Sequence, residues 1–410
     1  MTELIHRRLG VVADEPDTVW PRMDYLQQPF LFRVRKVLRY VQLYGPSRTL
    51  VKVQSQYHMA KTYGQLPPLP EAGREQRHVG IIGCGKFAYA QIAYYLTKEF
   101  GPVIRGAMDK DVARAASLFE RYDLDYYTDK VDRILDDPAI DLIYIASNHA
   151  SHAEYAIAAL ERGKDVHIEK PHVVSRGQLA RLCRAMGESE GRVALGFNRP
   201  RSPFGREIRR SLASQTGPTM FNWFVAGHEI PTDHWYFTEA EGGRVLGNLC
   251  HWTDFVYQMV PSDARYPLAI QPTRADQSDC DIALTLRFGD GSIAAITFSA
   301  KGHTFEGVRE RFACHRDNVL IALDDFQTLR IDEGARRKTS RLWARNHGHE
   351  ATICNSYGLA RPTKAAGDDS SVAYVWETGE LFLASKEALE QNRTITLSGY
   401  APAIHSKSPV

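Results

Sequence analysis

Apolar and polar positions follow two different grammars along this chain, and the change falls near residue 198. Between His78 and about Phe197, short apolar runs alternate with segments of helical period. Strands buried on both faces and joined by crossover helices give that pattern, so it predicts a doubly wound parallel sheet. The predicted strands are Val79–Ile82, Val103–Met108, Leu142–Ile145, Asp165–Ile168 and Ala194–Gly196. The predicted helices are Ala90–Phe100, Val112–Tyr122, Val131–Leu135, Ala150–Arg162 and Arg176–Ser189. From Asn198 onward, Thr219–Ala226, Ile282–Phe288, Ser292–Ser299, Val308–His315, Val319–Leu323 and Thr328–Ile331 alternate with period two. Turn chemistry such as Gly289-Asp290-Gly291 joins them, which predicts a large, open, mainly antiparallel sheet. Helices near Arg201–Ser214, His251–Val260 and Val372–Gln391 are predicted to flank it. The fold class is therefore α/β, with a parallel-sheet domain over 77–197, a second α/β domain over 198–400 and a tail over 401–410.

Residues 1–76 stand apart as an extension. Between Tyr25 and Pro70 there is no acidic residue, against seven basic ones: Arg33, Arg35, Lys36, Arg39, Arg48, Lys52 and Lys61. Pro29–Tyr44 has the spacing of an amphipathic helix, Gly45-Pro46-Ser47 ends it, and Ser47–Val53 starts another element. Leu66-Pro67-Pro68-Leu69-Pro70 is a stiff, extended linker. Two readings stand side by side: an arm packed on the body or on a neighbouring subunit, or a weak contact with an anionic membrane or polyanion. No recognition motif accompanies the charge, so specific nucleic-acid binding is not expected.

Composition narrows the class. The chain has 410 residues, 43% apolar and 24% charged, with a net charge of +2. It lacks the run of ~18–20 apolar residues that a spanning helix needs, and residues 1–8 lack a secretory apolar region. Cysteines 84, 183, 250, 280, 314 and 354 are scattered without metal-ligand spacing. A cytoplasmic protein with reduced thiols and no metal is the expectation.

The candidate chemistry begins at Val79-Gly80-Ile81-Ile82-Gly83-Cys84-Gly85-Lys86-Phe87-Ala88. A buried strand here runs straight into a G-x-G-x-x-A turn that opens a helix, the fingerprint of a Rossmann dinucleotide site. Gly83 permits the turn, Gly85 lets a pyrophosphate approach the backbone, and Ala88 is small enough for helix to pack on strand. Asp109, 26 residues after Gly83 at the end of the second strand, is placed to accept hydrogen bonds from the adenosine ribose. Its charge favours NAD, while neighbouring Lys110 and Arg105 leave room for NADP. The loop Ser147-Asn148-His149-Ala150-Ser151-His152 follows the Leu142–Ile145 strand into the crevice where a cofactor lies; Asn148 and His152 are candidates to contact cofactor or substrate, with helix capping by Asn148 or Ser151 as the alternative. Two more segments carry reactive groups: Val166-His167-Ile168-Glu169-Lys170-Pro171, and Gly242-Gly243 leading to Asn248, His251 and Asp254.

With these residues in hand, the chain from His78 to Gly399 resembles the family of glucose–fructose oxidoreductase, inositol dehydrogenase and the rhizopine catabolism protein (Gfo/Idh/MocA). The likeness rests on the glycine fingerprint, the run Ala159–Pro171 ending in Glu-Lys-Pro, and the Gly-Gly…His-x-x-Asp segment. It implies a Rossmann domain followed by a sheet domain that covers the active site and often mediates dimers or tetramers. It implies an NAD(P)-dependent oxidoreductase acting on a ring hydroxyl or carbonyl of a sugar, sugar nucleotide or glycosylated metabolite. Lys170 resembles the lysine that orients the substrate hydroxyl, His251 the general base, and Asp254 a support for their helix. The cofactor set is then Gly83, Gly85, Lys86, Phe87, Asp109, Lys110, Ser147, Asn148, His152, Glu169 and Lys170. Gly196-Phe197-Asn198-Arg199 and the stretch His228–Trp235 resemble members acting on cell-surface or nucleotide-linked sugars, placing Arg199, Asp233, His234, Trp235 and Asn248 as substrate-pocket candidates. One position departs: many members carry aspartate four residues before the histidine, and here Gly247 stands there. Two alternatives stay open at this stage, a non-catalytic dinucleotide-binding regulator and an enzyme that retains its cofactor for epimerisation or elimination.

Overall fold

The structure is a computed structural model that describes residues 25–71, 76–230, 233–274, 281–300, 305–360 and 371–400. Cys280 and the tail over 401–410 lie outside those residues, as do residues 1–24.

The extension folds as two helices packed on each other, α1 (Phe30–Tyr44) and α2 (Pro46–Ala60). Gly45, at φ +79°, makes the break, and Pro46 opens α2 where its missing N–H costs nothing. The second element is a full four-turn helix rather than the short start expected at Ser47–Val53. Four of the extension's seven basic side chains between Tyr25 and Pro70 are engaged within the protein. Arg48 donates to Gln91 Oε1 at 2.7 Å, Lys61 pairs with Glu120 at 2.5 Å, Arg39 pairs with Glu306, and Lys52 lies 4.5 Å over the Tyr44 ring. The arm thus lies along the body, which accounts for these cations without an anionic membrane.

The parallel domain contains β1 (Val79–Ile82), α3 (Ala93–Phe100), β2 (Ile104–Met108), α4 (Val112–Tyr122), β3 (Tyr126–Thr128), α5 (Asp132–Leu135), β4 (Leu142–Ile145), α6 (His149–Leu160), β5 (Asp165–Ile168), α7 (Arg176–Glu188) and β6 (Val193–Leu195). The helix after β1 begins earlier than expected, passing through a π turn over Ala88–Ile92 before α3. Strand order is β3-β2-β1-β4-β5-β6, all pairs parallel. This order reverses direction between β1 and β4, the switch point at whose carboxyl end an α/β sheet binds ligands. β3 is three residues long, too short to announce itself in the sequence.

The second domain contains α8 (Pro203–Ala213), β7 (Met220–Ala226), α9 (Cys250–Met259), β8 (Leu268–Arg274), β9 (Asp281–Arg287), β10 (Ile293–Ser299), β11 (Arg309–Arg316), β12 (Val319–Asp324), β13 (Thr328–Glu333), β14 (Arg336–Arg341), α10 (His349–Ala360), α11 (Val372–Gln391) and β15 (Ile395–Leu397). Nine strands run in the order β14-β13-β12-β11-β7-β10-β9-β8-β15, antiparallel except for the parallel pair β7/β10. The inner face buries Phe221, Trp223, Val225 and Phe312, while the outer face presents Met220, Phe224 and Leu320 to solvent. β14 is a polar edge strand of exposed cations, so its alternation carried no apolar signal.

Helix α10 crosses the expected boundary. Ile353 and Tyr357 join the core of Val79, Ile81 and Tyr144, and the Tyr144 hydroxyl donates to the Ile353 carbonyl at 2.7 Å. His167 Nδ1 lies 2.8 Å from Ser356 Oγ. A segment after residue 198 therefore completes the first domain. Among the described residues, no helix is long and apolar enough to cross a membrane.

Candidate active site

At the switch point, Gly83 adopts φ +90°. A Cβ there would lie 2.5 Å from Ser147 N and 2.6 Å from the Ala146 carbonyl, because the turn presses against the chain leaving β4. Gly85 differs: a Cβ there would meet nothing within 4 Å, so space lies open over the backbone where the helix begins. Both glycines line one cleft of about 1230 Å³ between the domains.

Asp109 closes the other side of the turn. Its carboxylate accepts from the backbone N–H of Cys84 at 2.7 Å and of Asp111 at 2.9 Å. Lys86 and Lys110 line the cleft with no carboxylate partner among the described residues. Open room above Gly85, an acid at the end of β2 and these cations suit a dinucleotide: pyrophosphate over the turn, ribose hydroxyls against Asp109.

The loop after β4 is tied to both domains. Asn148 donates to Glu241 Oε1 at 2.6 Å, and Glu241 Oε2 accepts from the Ala150 backbone at 3.1 Å. The second domain thus supplies a carboxylate to the N-terminus of α6, a favourable end for negative charge. Ser147 and Ser151 share a 2.7 Å hydrogen bond. His152 is buried with its nitrogens 2.8 Å from the Pro171 carbonyl and 3.0 Å from the Ser147 carbonyl. It lines the cleft, but it knits two backbone segments together instead of offering a nitrogen to ligand. Glu169, also buried, faces His167 Nε2 at 3.1 Å.

Lys170 reaches across the cleft and donates from Nζ to the Gly247 carbonyl at 2.7 Å. A Cβ at Gly247 would stand 2.7 Å from His149 Cε1 and 2.8 Å from Tyr236 Cε2. An aspartate therefore has no room at this position; His149 fills it. His149 Nδ1 lies 2.9 Å from the Glu241 carbonyl. A carbonyl only accepts, so Nδ1 carries the proton and Nε2 keeps its lone pair toward the cleft. Burial, then the charge of Lys170, pushes the His149 imidazole down to about 2. Beside it, Asn248 lines the cleft, its Oδ1 buried and without a hydrogen-bond partner among the described residues.

His251, three residues further on and in the first turn of α9, is buried and outside the cleft lining. Its Nδ1 has no partner among the described residues. Burial first, then Arg199 and Lys170, hold it well below the usual imidazole range, so it is neutral at pH 7. Asp254 accepts from the Tyr374 hydroxyl at 2.7 Å and ties α9 to α11, a supporting role.

The substrate-pocket candidates separate. His234, Trp235 and Asn248 line the cleft, and Trp235 packs edge-on to His149 at 4.8 Å. Asp233 is exposed and Arg199 is buried elsewhere; neither is in the lining. Arg199 donates to Glu310 Oε2 at 2.8 Å and Oε1 at 2.5 Å, and Trp252 Nε1 donates to the same carboxylate at 3.0 Å. This guanidinium is paired with a buried carboxylate and lies outside the cleft lining, away from any phosphate held there. Sequence reasoning had passed over His149, Tyr236 and Glu241. A second imidazole three residues before His152 was the available sign; Glu241 and Tyr236 gave none.

Residues 77–197 match the family model GFO_IDH_MocA, described as an oxidoreductase family with an NAD-binding Rossmann fold. The oxidoreductase YrbE of Bacillus subtilis, itself uncharacterized, is 24% identical over 53% of this chain and 65% of its own length. Inositol 2-dehydrogenase 2 of Saccharopolyspora erythraea is 30% identical over 33% of this chain and 41% of its own. The chain thus spans less than two thirds of these curated relatives. A levoglucosan dehydrogenase solved with NADH and levoglucosan superposes with a TM-score of 0.67 at 18% identity, covering 78% of this chain and 99% of that one; it shares the fold.

Proposed function

Since residues 77–197 belong to the Gfo/Idh/MocA oxidoreductase family, we propose that this protein transfers a hydride between NAD and a ring hydroxyl or carbonyl of a sugar-type substrate. The observation that carries this reading is the meeting, in one cleft, of the Gly83–Gly85 turn with Lys170, the open lone pair of His149 and the unpartnered Asn248 Oδ1. A bound dinucleotide would supply the hydride acceptor or donor.

The chain's own groups divide the remaining work. Gly85 and Lys86 would hold the pyrophosphate and Asp109 the ribose; the Asp109 carboxylate would repel a 2′-phosphate, which favours NAD. The Lys170 ammonium lies where charge develops on the substrate oxygen and stabilises an alkoxide. Asn248 Oδ1 and His149 Nε2 accept hydrogen bonds from neighbouring hydroxyls, which a polyol offers and a simple alcohol does not. Trp235 gives a sugar ring an apolar face. His251, neutral but outside the cleft lining, would have to swing its ring into the cleft to take the hydroxyl proton; such help typically contributes about 10²–10⁴ in rate. Dimers or tetramers would form through the outer face of the nine-stranded sheet, where Met220, Phe224 and Leu320 are exposed.

The test is nicotinamide absorbance with a panel of sugars, inositols and sugar nucleotides, comparing Lys170→Ala and His251→Ala with the natural chain. Turnover of one polyol class, lost in both variants, is expected. Undiminished turnover in both refutes the assignment.

A further inference from the structure

The cleft that holds the glycine turn has a wall from outside the Rossmann domain. Phe32 and Lys36, four residues apart and so on one face of α1, line it, as do Gln56 and Met59 from α2. The two helices are fastened on both sides of the cleft. On the second domain, Arg345 N donates to the Leu43 carbonyl at 2.7 Å, Arg345 reaches the Tyr44 hydroxyl at 3.1 Å, and Phe32 packs edge-on to Phe305 at 5.6 Å. On the Rossmann domain, Ser47 Oγ lies 2.8 Å from the Tyr94 hydroxyl, and His58 stacks on Tyr89 at 4.4 Å. His58 Nε2 donates at 2.7 Å to the carbonyl of Cys84, between the two glycines, and Nδ1 accepts from Ser117 Oγ at 2.9 Å. The helical pair is a strap across the cleft, anchored at the turn itself.

Lys36 is the residue that points to a ligand. It is half-buried in the cleft wall, surrounded by the rings of Phe32, Tyr40 and Phe305 at 5.6–5.9 Å, with no carboxylate partner among the described residues. An ammonium half-removed from water in the same cleft as the glycine turn lacks a counter-charge that a phosphate would supply. The matched family segment begins at residue 77, after the strap.

We propose that the strap is part of the cofactor site: Lys36 pairs with a phosphate of the bound dinucleotide, Phe32 and Met59 close over it, and the cofactor exchanges only when the strap lifts. This rests on the dinucleotide reading above. It makes NAD(H) a slowly exchanging ligand, since release requires breaking strap contacts on at least one domain.

The full-length protein tests it by NADH fluorescence titration and by stopped-flow release of NADH into excess NAD. Lys36→Met keeps the aliphatic stem over the rings and removes the charge. It is expected to raise the NADH dissociation constant about tenfold, mostly through faster release, and to flatten its salt dependence. Lys36→Arg should restore tight binding. Leu38→Ala, on the exposed side of α1, should change neither quantity. Lys36→Gln repeats the charge removal should the methionine variant fold poorly. Natural affinity and release rate in the charge-removed variant, with binding still weakened by Gly85→Ala, overturns the clamp alone. Failure of the natural chain to bind NADH overturns the dinucleotide reading and the clamp with it.

Discussion

A single methyl group added at each turn glycine separates folding from cofactor binding. At Gly83 the backbone sits at φ +90°, and a Cβ meets backbone atoms of Ala146 and Ser147 at 2.5–2.6 Å. Holding an L-residue in a left-handed conformation costs about 1–2 kcal/mol. The clash adds about 1–3 kcal/mol, because the opposing atoms belong to the chain leaving β4 and not to a flexible side chain. Gly83→Ala should therefore destabilise by roughly 2–5 kcal/mol, a fall in Tm on the order of 10 °C. Gly85 has no left-handed requirement and no protein atom within 4 Å of its Cβ position. Gly85→Ala should leave Tm unchanged or raise it, since alanine lowers the entropy of the unfolded chain by about 0.4–1 kcal/mol. The methyl fills the room proposed for the pyrophosphate, and a clash of about 1–3 kcal/mol in the complex weakens NADH binding about 5- to 150-fold. Thermal unfolding and NADH fluorescence titration on both variants read the two effects independently. A Gly85→Ala protein that binds NADH as tightly as the natural chain would refute the placement of the phosphates.

Four further outcomes are expected. His149→Phe keeps a ring over Gly247 but removes the acceptor; substrate KM should rise about 5- to 10-fold, the loss of one net hydrogen bond, with NADH affinity unchanged. Gly247→Asp alone should lose activity through its clash with His149 and Tyr236, and His149→Ala should partly rescue it; additive losses in the double variant would contradict the shared space. Glu310→Gln strands the buried Arg199 charge and should cost about 3–5 kcal/mol in urea unfolding, with a loss below about 1 kcal/mol counting against the buried pair. Finally, His149 and His172 are held down to about 2 and about 3, chiefly by burial. The unfolded chain binds their protons first, so this stability is full above pH 6.5 and falls as pH drops toward those values. Tm should therefore decline steadily from pH 7 to pH 5, and a flat profile would show these imidazoles already solvated.

Local pattern carried the architecture where each element answers mainly to its own period. β1 and β4 are continuous apolar runs because both faces are covered, and β7 and β9 to β13 alternate because one face is open; both signals survive in one dimension. β14 did not announce itself, since an edge strand of exposed cations has no apolar face. Helix α10 was invisible for another reason: it packs against the Rossmann sheet on one side and the second domain on the other, so no single apolar stripe marks it.

At the site, the chemical identity of Gly83, Gly85, Asp109 and Lys170 was legible because strand, turn and helix fix their geometry within a few residues. Which side chains meet them was not. That Arg199 is consumed by Glu310, that His149 occupies the space over Gly247, and that a helix from residues 46–60 grips the Cys84 carbonyl are contacts between segments tens to hundreds of residues apart. The sequence alone determined what each backbone segment could become, because hydrophobic period and glycine freedom act locally. Only tertiary packing decided which polar atoms were satisfied and which were left facing the cleft, because a hydrogen-bond partner is chosen by proximity in space, and chain order does not encode it.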